Sequence, residues 1–165
     1  MIVNESIVHA LHQSTLVAEF RESEIGVLLP LFTTRHYSKG EYIARPGSCE
    51  LEDALLLLVD GRIEVSARIE DEPMAIHLKD PGDIARVISF VGGNMMKIDA
   101  TIEVTEDCTV LLLERRKLET LLDTHPVIVY NVMRGLVRFA HGLARHKSAE
   151  TEELSNYFYR INGRF

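Results

Sequence analysis

Seven histidines are the side chains in this chain best suited to metal or acid–base chemistry, and their spacing sets what they can do. His9 and His12 stand at i and i+3 in a stretch with helical periodicity, and His36 and His77 stand singly in strand-like segments. His125 precedes Pro126, while His141 and His146 are five apart. A metal held on a β-barrel needs clustered imidazoles and carboxylates, yet no His-x-His and no His-Glu-x-x-His occurs. A cupin-like metalloenzyme is thus the enzymatic alternative, and the spacing speaks against it. Covalent catalysis has no better start. Ser89 and Cys49 lack an identifiable base, and the chain has no G-x-S-x-G turn, no Walker loop and no G-x-G-x-x-G. Cys49 and Cys108 lie in dissimilar contexts without C-x-x-C spacing, so both are expected to be free thiols, Cys108 in the core. The expectation is a protein with no catalytic residues and no bound metal.

The elements that carry these side chains belong to a chain of 165 residues with 46% hydrophobic residues, enough for one domain with a real core. No apolar run approaches the ~18 residues of a membrane span. The start, MIVNESIVHALHQ, lacks a basic segment followed by an apolar stretch, so no signal peptide is expected and the protein is placed in the cytoplasm. Charge is uneven: residues 1–114 hold 9 Lys/Arg against 20 Asp/Glu, and residues 115–165 hold 9 against 5. An acidic body argues against nucleic acid as a direct partner, DNA included, while the basic C-terminal end leaves a small opening for one.

Helical periodicity covers Glu5–Gln13 and Ser23–Leu29, with Pro30 closing or kinking the second helix. Short strands follow: Thr33–Tyr37, Tyr42–Ala44, Ala54–Val59, Arg62–Arg68, Met74–Lys79, Asp99–Val104 and Thr109–Glu114. Lys39-Gly40, Pro46-Gly47, Asp60-Gly61, Asp71-Glu72-Pro73 and Pro81-Gly82-Asp83 read as the turns between them. Leu55–Val59 is wholly apolar and is expected to be covered on both faces. The expected fold is mainly β with flanking helices, a sandwich or jelly-roll barrel. Helices occupy 1–32, the barrel 33–124, and a C-terminal helix and tail 125–165.

The segment Pro81–Val104, PGDIARVISFVGGNMMKIDATIEV, resembles the phosphate-binding cassette of the cyclic-nucleotide-binding domain family. Gly82-Asp83 matches the family's turn, Ile88-Ser89-Phe90-Val91-Gly92 its short helix, and Ala100-Thr101-Ile102 its closing strand. Further matches run in order: Tyr37-x-x-Gly40-x-x-Ile43; Pro46-Gly47; Asp53-Ala54 with Leu55 to Leu58 and Gly61; and Leu111 to Leu122 followed by His125-Pro126. The resemblance covers about residues 14–145 and extends to the sensor domain of CRP/FNR-type bacterial regulators. It implies a double-stranded β-helix barrel with N-terminal helices and a long C-terminal helix.

The resemblance also implies a site, and the residues present alter it. The family holds a cyclic phosphate on backbone N–H groups and a bidentate Arg, and a Glu accepts a bond from the ribose hydroxyl. Here Arg86-Val87 stands where the family has Gly-Glu, and Ile98 stands where it has Arg. A shifted alignment of the loop Gly93 to Met96 would instead put Lys97 at the arginine position. The ligand-contacting positions implied are Arg86, Ser89, Lys97, Ala100 and Thr101. Cyclic AMP or GMP is expected to bind weakly or not at all. One expectation is a sensor for another small anion, held by Arg86 and Lys97. The alternative is a ligand-free interaction scaffold in which Val87, Ile98 and Met95-Met96 fill the ligand's volume.

From Pro126, Met133, Leu136, Ala140 and Leu143 recur at alternating spacings of 3 and 4, continuing through Lys147, Glu150, Leu154, Tyr157 and Ile161. That is a heptad seam. Gly135 and Gly142, seven apart, are expected to admit a second helix beside it. The first two turns are expected to pack against the barrel; beyond about Leu143 the helix outruns it, so the expectation is a homodimer built on this helix, whose aromatic tail Tyr157, Phe158, Tyr159 and Phe165 either packs at the dimer end or docks a protein partner. CRP/FNR-type regulators continue into a helix-turn-helix domain; the chain ends at Phe165, so the resemblance implies a stand-alone regulatory module that does not read DNA.

Overall fold

The computed structural model describes residues 4–48, 51–69, 72–92 and 100–162. Helix α1 (Glu5–Gln13) begins where the Asn4 side chain accepts a hydrogen bond from Ser6 N, and a 3₁₀ turn, Thr15–Val17, follows it. Helix α2 (Glu22–Leu28) passes into a second 3₁₀ turn, Leu29–Leu31, so Pro30 tightens the helix end. Six strands then make one antiparallel sheet: β1 (Thr33–Tyr37), β2 (Tyr42–Ala44), β3 (Ala54–Ile69), β4 (Glu72–Leu78), β5 (Ile84–Ala85) and β6 (Ala100–Glu114). Their order is β1-β6-β3-β4, with β2 also on β6 and β5 on β3. Helix α3 (Val87–Gly92) lies between β5 and β6, and α4 (Arg115–Glu119) and α5 (Pro126–Asn162) close the chain.

The sheet curls because β3 and β6 bend together. Their pairing runs from Ala54↔Glu114 to Ala67↔Ala100 with register shifts between Leu58 and Ile63. Asp60-Gly61 is therefore a bulge within one long strand, a correction to its reading as a turn between two. At the bulge Asp60 Oδ1 accepts from Thr109 N at 2.9 Å, replacing a ladder bond, and Gly61 has φ +83. Likewise Glu72 and Pro73 belong to β4, paired with Ile69 and Arg68, a correction to their reading as part of a turn.

Two apolar cores result from the period-2 alternation of strand side chains. Leu56 and Leu58 point into the barrel with Ile63, Leu78, Ile102, Val104 and Val110. Leu55, Leu57 and Val59 point outward, where α1, α2 and α5 cover them through Leu11, Leu28, Val132 and Leu136. The Leu55–Val59 run is thus covered on both faces. No helix among the described residues is long and apolar enough to cross a membrane.

Candidate functional site

The cassette hangs from the end of α1. In the turn Pro81–Asp83, Asp83 Oδ2 accepts from Lys79 N and Asp80 N at 3.0 Å, and Gly82 N donates to Leu58 O at 2.8 Å. Gly82 has φ +94, and a Cβ there would lie 2.7 Å from Ser14 N and 2.8 Å from Ala10 O. Only glycine lets the turn sit that close to the helix.

Arg86 follows β5 with φ 68, the one non-glycine residue with positive φ among those described. Its carbonyl accepts from Phe90 N at 2.9 Å, opening α3. Its side chain turns away from solvent: Nη2 donates to the Leu51 carbonyl, while Nε is buried without a partner among the described residues. Burial lowers the pKa of this guanidinium, with the Glu52 carboxylate opposing the shift. Val87 packs against the core between barrel and helices, where Phe90 is fully buried. Ser89 is half-buried on the same helix. On β6, Ala100 pairs with Ala67 and shares the parity of barrel-lining Ile102, whereas Thr101 pairs with Ser66 and shares the opposite parity. No hydrogen bond joins Arg86, Ser89, Ala100 and Thr101 to one another among the described residues. Lys97, Ile98 and Met95-Met96 lie outside those residues.

Arg115 is the site residue that sequence reasoning missed. Its Nη2 pairs with Asp53 Oδ2 at 2.9 Å, its Nη1 donates to Phe90 O at 3.4 Å, and its backbone N donates to Asp53 O at 2.9 Å. The available signal was indirect: the pairing Ala54↔Glu114 brings positions 53 and 115 side by side, and no local pattern announces that register.

Elsewhere the described histidines stay apart from one another. Open clefts of ≈ 290 Å³ (His36, Asp60, Asp107 and Thr109 among its walls) and ≈ 460 Å³ (Glu41, Tyr42, Arg45) include no cassette residue. His36 Nδ1 meets Thr109 Oγ1 at 3.1 Å, and His77 lies 3.6 Å from Glu64. No group of three metal-ligating side chains forms among the described residues. Cys108 is a buried thiol whose pKa is pushed up to about 11 by burial and then by Asp60, Asp107 and Glu41. Cys49 lies outside the described residues.

On α5, Ile128, Val132 and Leu136 enter the core, and Leu136 is only 1% exposed. Leu136 alone is withdrawn from the seam, because a side chain filling its own core cannot meet a partner. The exposed apolar stripe is Tyr130 (63%), Met133 (37%) and Val137 (68%), continued by exposed Ala140; Leu143 is 42% exposed beyond the barrel. Gly135 is also accounted for within the chain, since its Cβ would lie 2.9 Å from Leu16 O. Seam side chains from Lys147 onward lie outside the description.

The sequence pattern of the cyclic nucleotide-binding domain matches residues 34–125, more than half of the chain. The chain belongs to this family. Among solved structures, this cyclic nucleotide-binding domain is similar to one from Methylobacillus flagellatus (TM-score 0.71, 19% identity, 92% of this chain and 83% of that one). It is similar to the Thermus thermophilus Catabolite Activator Protein (TM-score 0.68, 23% identity, 86% of this chain), and spans 63% of that protein's length. A third likeness is to the regulatory subunit of a cAMP-independent protein kinase A from Trypanosoma brucei, as a triple mutant bound to cAMP (TM-score 0.64, 20% identity, 82% and 46% covered). Among curated proteins no relative matches the chain.

Within this domain the backbone at position 86 explains the glycine that the family resemblance places there: φ 68 suits glycine and strains an arginine. Arg86→Gly is expected to be more stable than Arg86→Ala by about 1 kcal/mol, since both lose the side chain and only alanine keeps the strain. Urea unfolding of the two variants checks this, and equal midpoints would refute it.

Proposed function

We propose that this domain is a non-enzymatic regulatory module, working as a cytoplasmic homodimer, whose cassette binds cAMP and cGMP weakly or not at all. One observation carries the reading: the residue at the family's glycine position, Arg86, directs its guanidinium to the chain's own Leu51 carbonyl. Beside it Val87, at the position of the ribose-binding carboxylate, serves the apolar core and can accept no hydrogen bond. Each missing bond to a charged group removes roughly 1.5–3 kcal/mol. The Nε of Arg86, buried without a partner among the described residues, favours a second reading, a sensor in which Arg86 and Lys97 hold a different small anion.

Thermal melting tests the first reading. A ligand at 100 times its Kd adds about 2.7 kcal/mol, a shift of several degrees for a chain of this size. With cAMP or cGMP at about 1 mM, a level 100 times a ~10 μM Kd, the melting temperature is expected to stay put. A shift with inorganic phosphate that Lys97→Ala abolishes would support the second reading.

The dimer rests on the spacing of Tyr130, Met133, Val137 and Ala140 along an apolar, uncovered stripe of α5. Sedimentation at about 10 μM, a level that populates a dimer of micromolar or tighter Kd, is expected to give a dimer, and Val137→Glu a monomer. A monomeric wild type would remove this part of the proposal.

A further inference from the structure

We propose that two arginines clamp the cassette helix α3 at both ends onto one short segment, Leu51–Asp53, fixing the helix without a ligand. At the start of α3, Arg86 Nη2 donates to Leu51 O. At its end, Arg115 donates to Phe90 O at 3.4 Å and pairs with Asp53 Oδ2 at 2.9 Å. The segment that receives both ties is itself anchored. Ala54 N donates to Leu51 O at 3.2 Å, Arg115 N to Asp53 O at 2.9 Å, and the Leu51 side chain packs against the barrel interior.

The clamp is retained at a cost. Arg86 carries a left-handed backbone and a buried Nε with no partner among the described residues, and a glycine would remove both penalties. What glycine could not supply is the tie to Leu51. Between the ties, Val87 and Phe90 sit in the core, so α3 cannot swing out without breaking the clamp and exposing apolar surface. A ligand shifts only an equilibrium that exists; a clamped α3 leaves the module in one conformation, which its partners read constantly. The inference rests on the reading of the cassette as one that does not depend on cyclic nucleotide.

Hydrogen exchange of the intact protein tests it. Arg86→Ala keeps the backbone strain and removes one tie; Arg115→Ala removes the other. Each is expected to speed exchange of the Val87–Val91 amides by about tenfold or more, and the double variant by more than either. The β3 and β6 amides should exchange as in the wild type. Unchanged α3 exchange in both single variants, or acceleration spread evenly over β3 and β6, overturns the proposal. Arg86→Lys, which retains a donor on a flexible stem, is expected to recover part of the protection, and exchange as fast as in Arg86→Ala would count against the tie. The readout uses no nucleotide, so binding of cAMP by the wild type would refute the functional reading while leaving the clamp to be judged separately.

Discussion

Gly61→Ala is expected to cost about 4 kcal/mol of folding stability, a large share of the roughly 5–15 kcal/mol that holds a domain folded. Two effects add. A φ of +83 strains any L side chain by about 1–2 kcal/mol. The added Cβ would also lie 2.2 Å from Asp107 O and 2.6 Å from Cys108 Cβ, across the bulge where β3 and β6 bend together. Backbone oxygen cannot swing aside as a side chain can, so the strands must part or the bulge must shift, at about 2–3 kcal/mol more. Gly40→Ala separates the two effects, because Gly40 has φ +88 and nothing within 4 Å of its ideal Cβ. Its cost should be about 1–2 kcal/mol. Thermal melting should therefore place Gly61→Ala well below Gly40→Ala; equal losses would show that the bulge has room and that the curl of the barrel does not depend on it.

The second large effect is a gain. Arg86→Gly, Val87→Glu and Ile98→Arg together restore the residue types that the family uses to hold a cyclic nucleotide. Two charged hydrogen bonds at roughly 1.5–3 kcal/mol each amount to a gain in affinity of about 10²–10⁴. The triple variant is expected to bind cAMP at micromolar levels, with Ile98→Arg alone gaining less. Placing Glu at 87 puts a carboxylate where valine packs in the core, so a modest loss of stability should accompany the gain. A folded triple variant silent toward cAMP would mean that more of the pocket has changed than these three side chains.

Much of the barrel was legible because its signals are local. Thr33–Tyr37 and Tyr42–Ala44 matched residue for residue, and the apolar Leu55–Val59 announced its burial on both faces. Asp60-Gly61 misled because the same dipeptide that closes hairpins also makes bulges, and only the register with Thr109 and Glu106 distinguishes them. Strand β5 has two residues, too few for any period to show. On α5 the heptad spacing was readable but its phase was not. Whether Leu136 or Val137 faces the barrel is set by where the turn Thr15–Val17 docks on Gly135. The cassette was recognisable from its glycine turn and closing strand. The destination of the Arg86 side chain was hidden, since it depends on a left-handed backbone that no arginine advertises and on a loop 35 positions earlier.

The most direct measurement is isothermal titration of the wild-type protein with cAMP and cGMP after any co-purified nucleotide has been removed. No saturable heat is expected from either nucleotide up to about 100 μM, a level at which a Kd of 1 mM (~4.1 kcal/mol) would go unseen. Saturable binding at micromolar or tighter Kd would contradict it, and would show that the residues now at the cassette, Arg86 among them, hold the ligand by contacts other than those the family resemblance supplies.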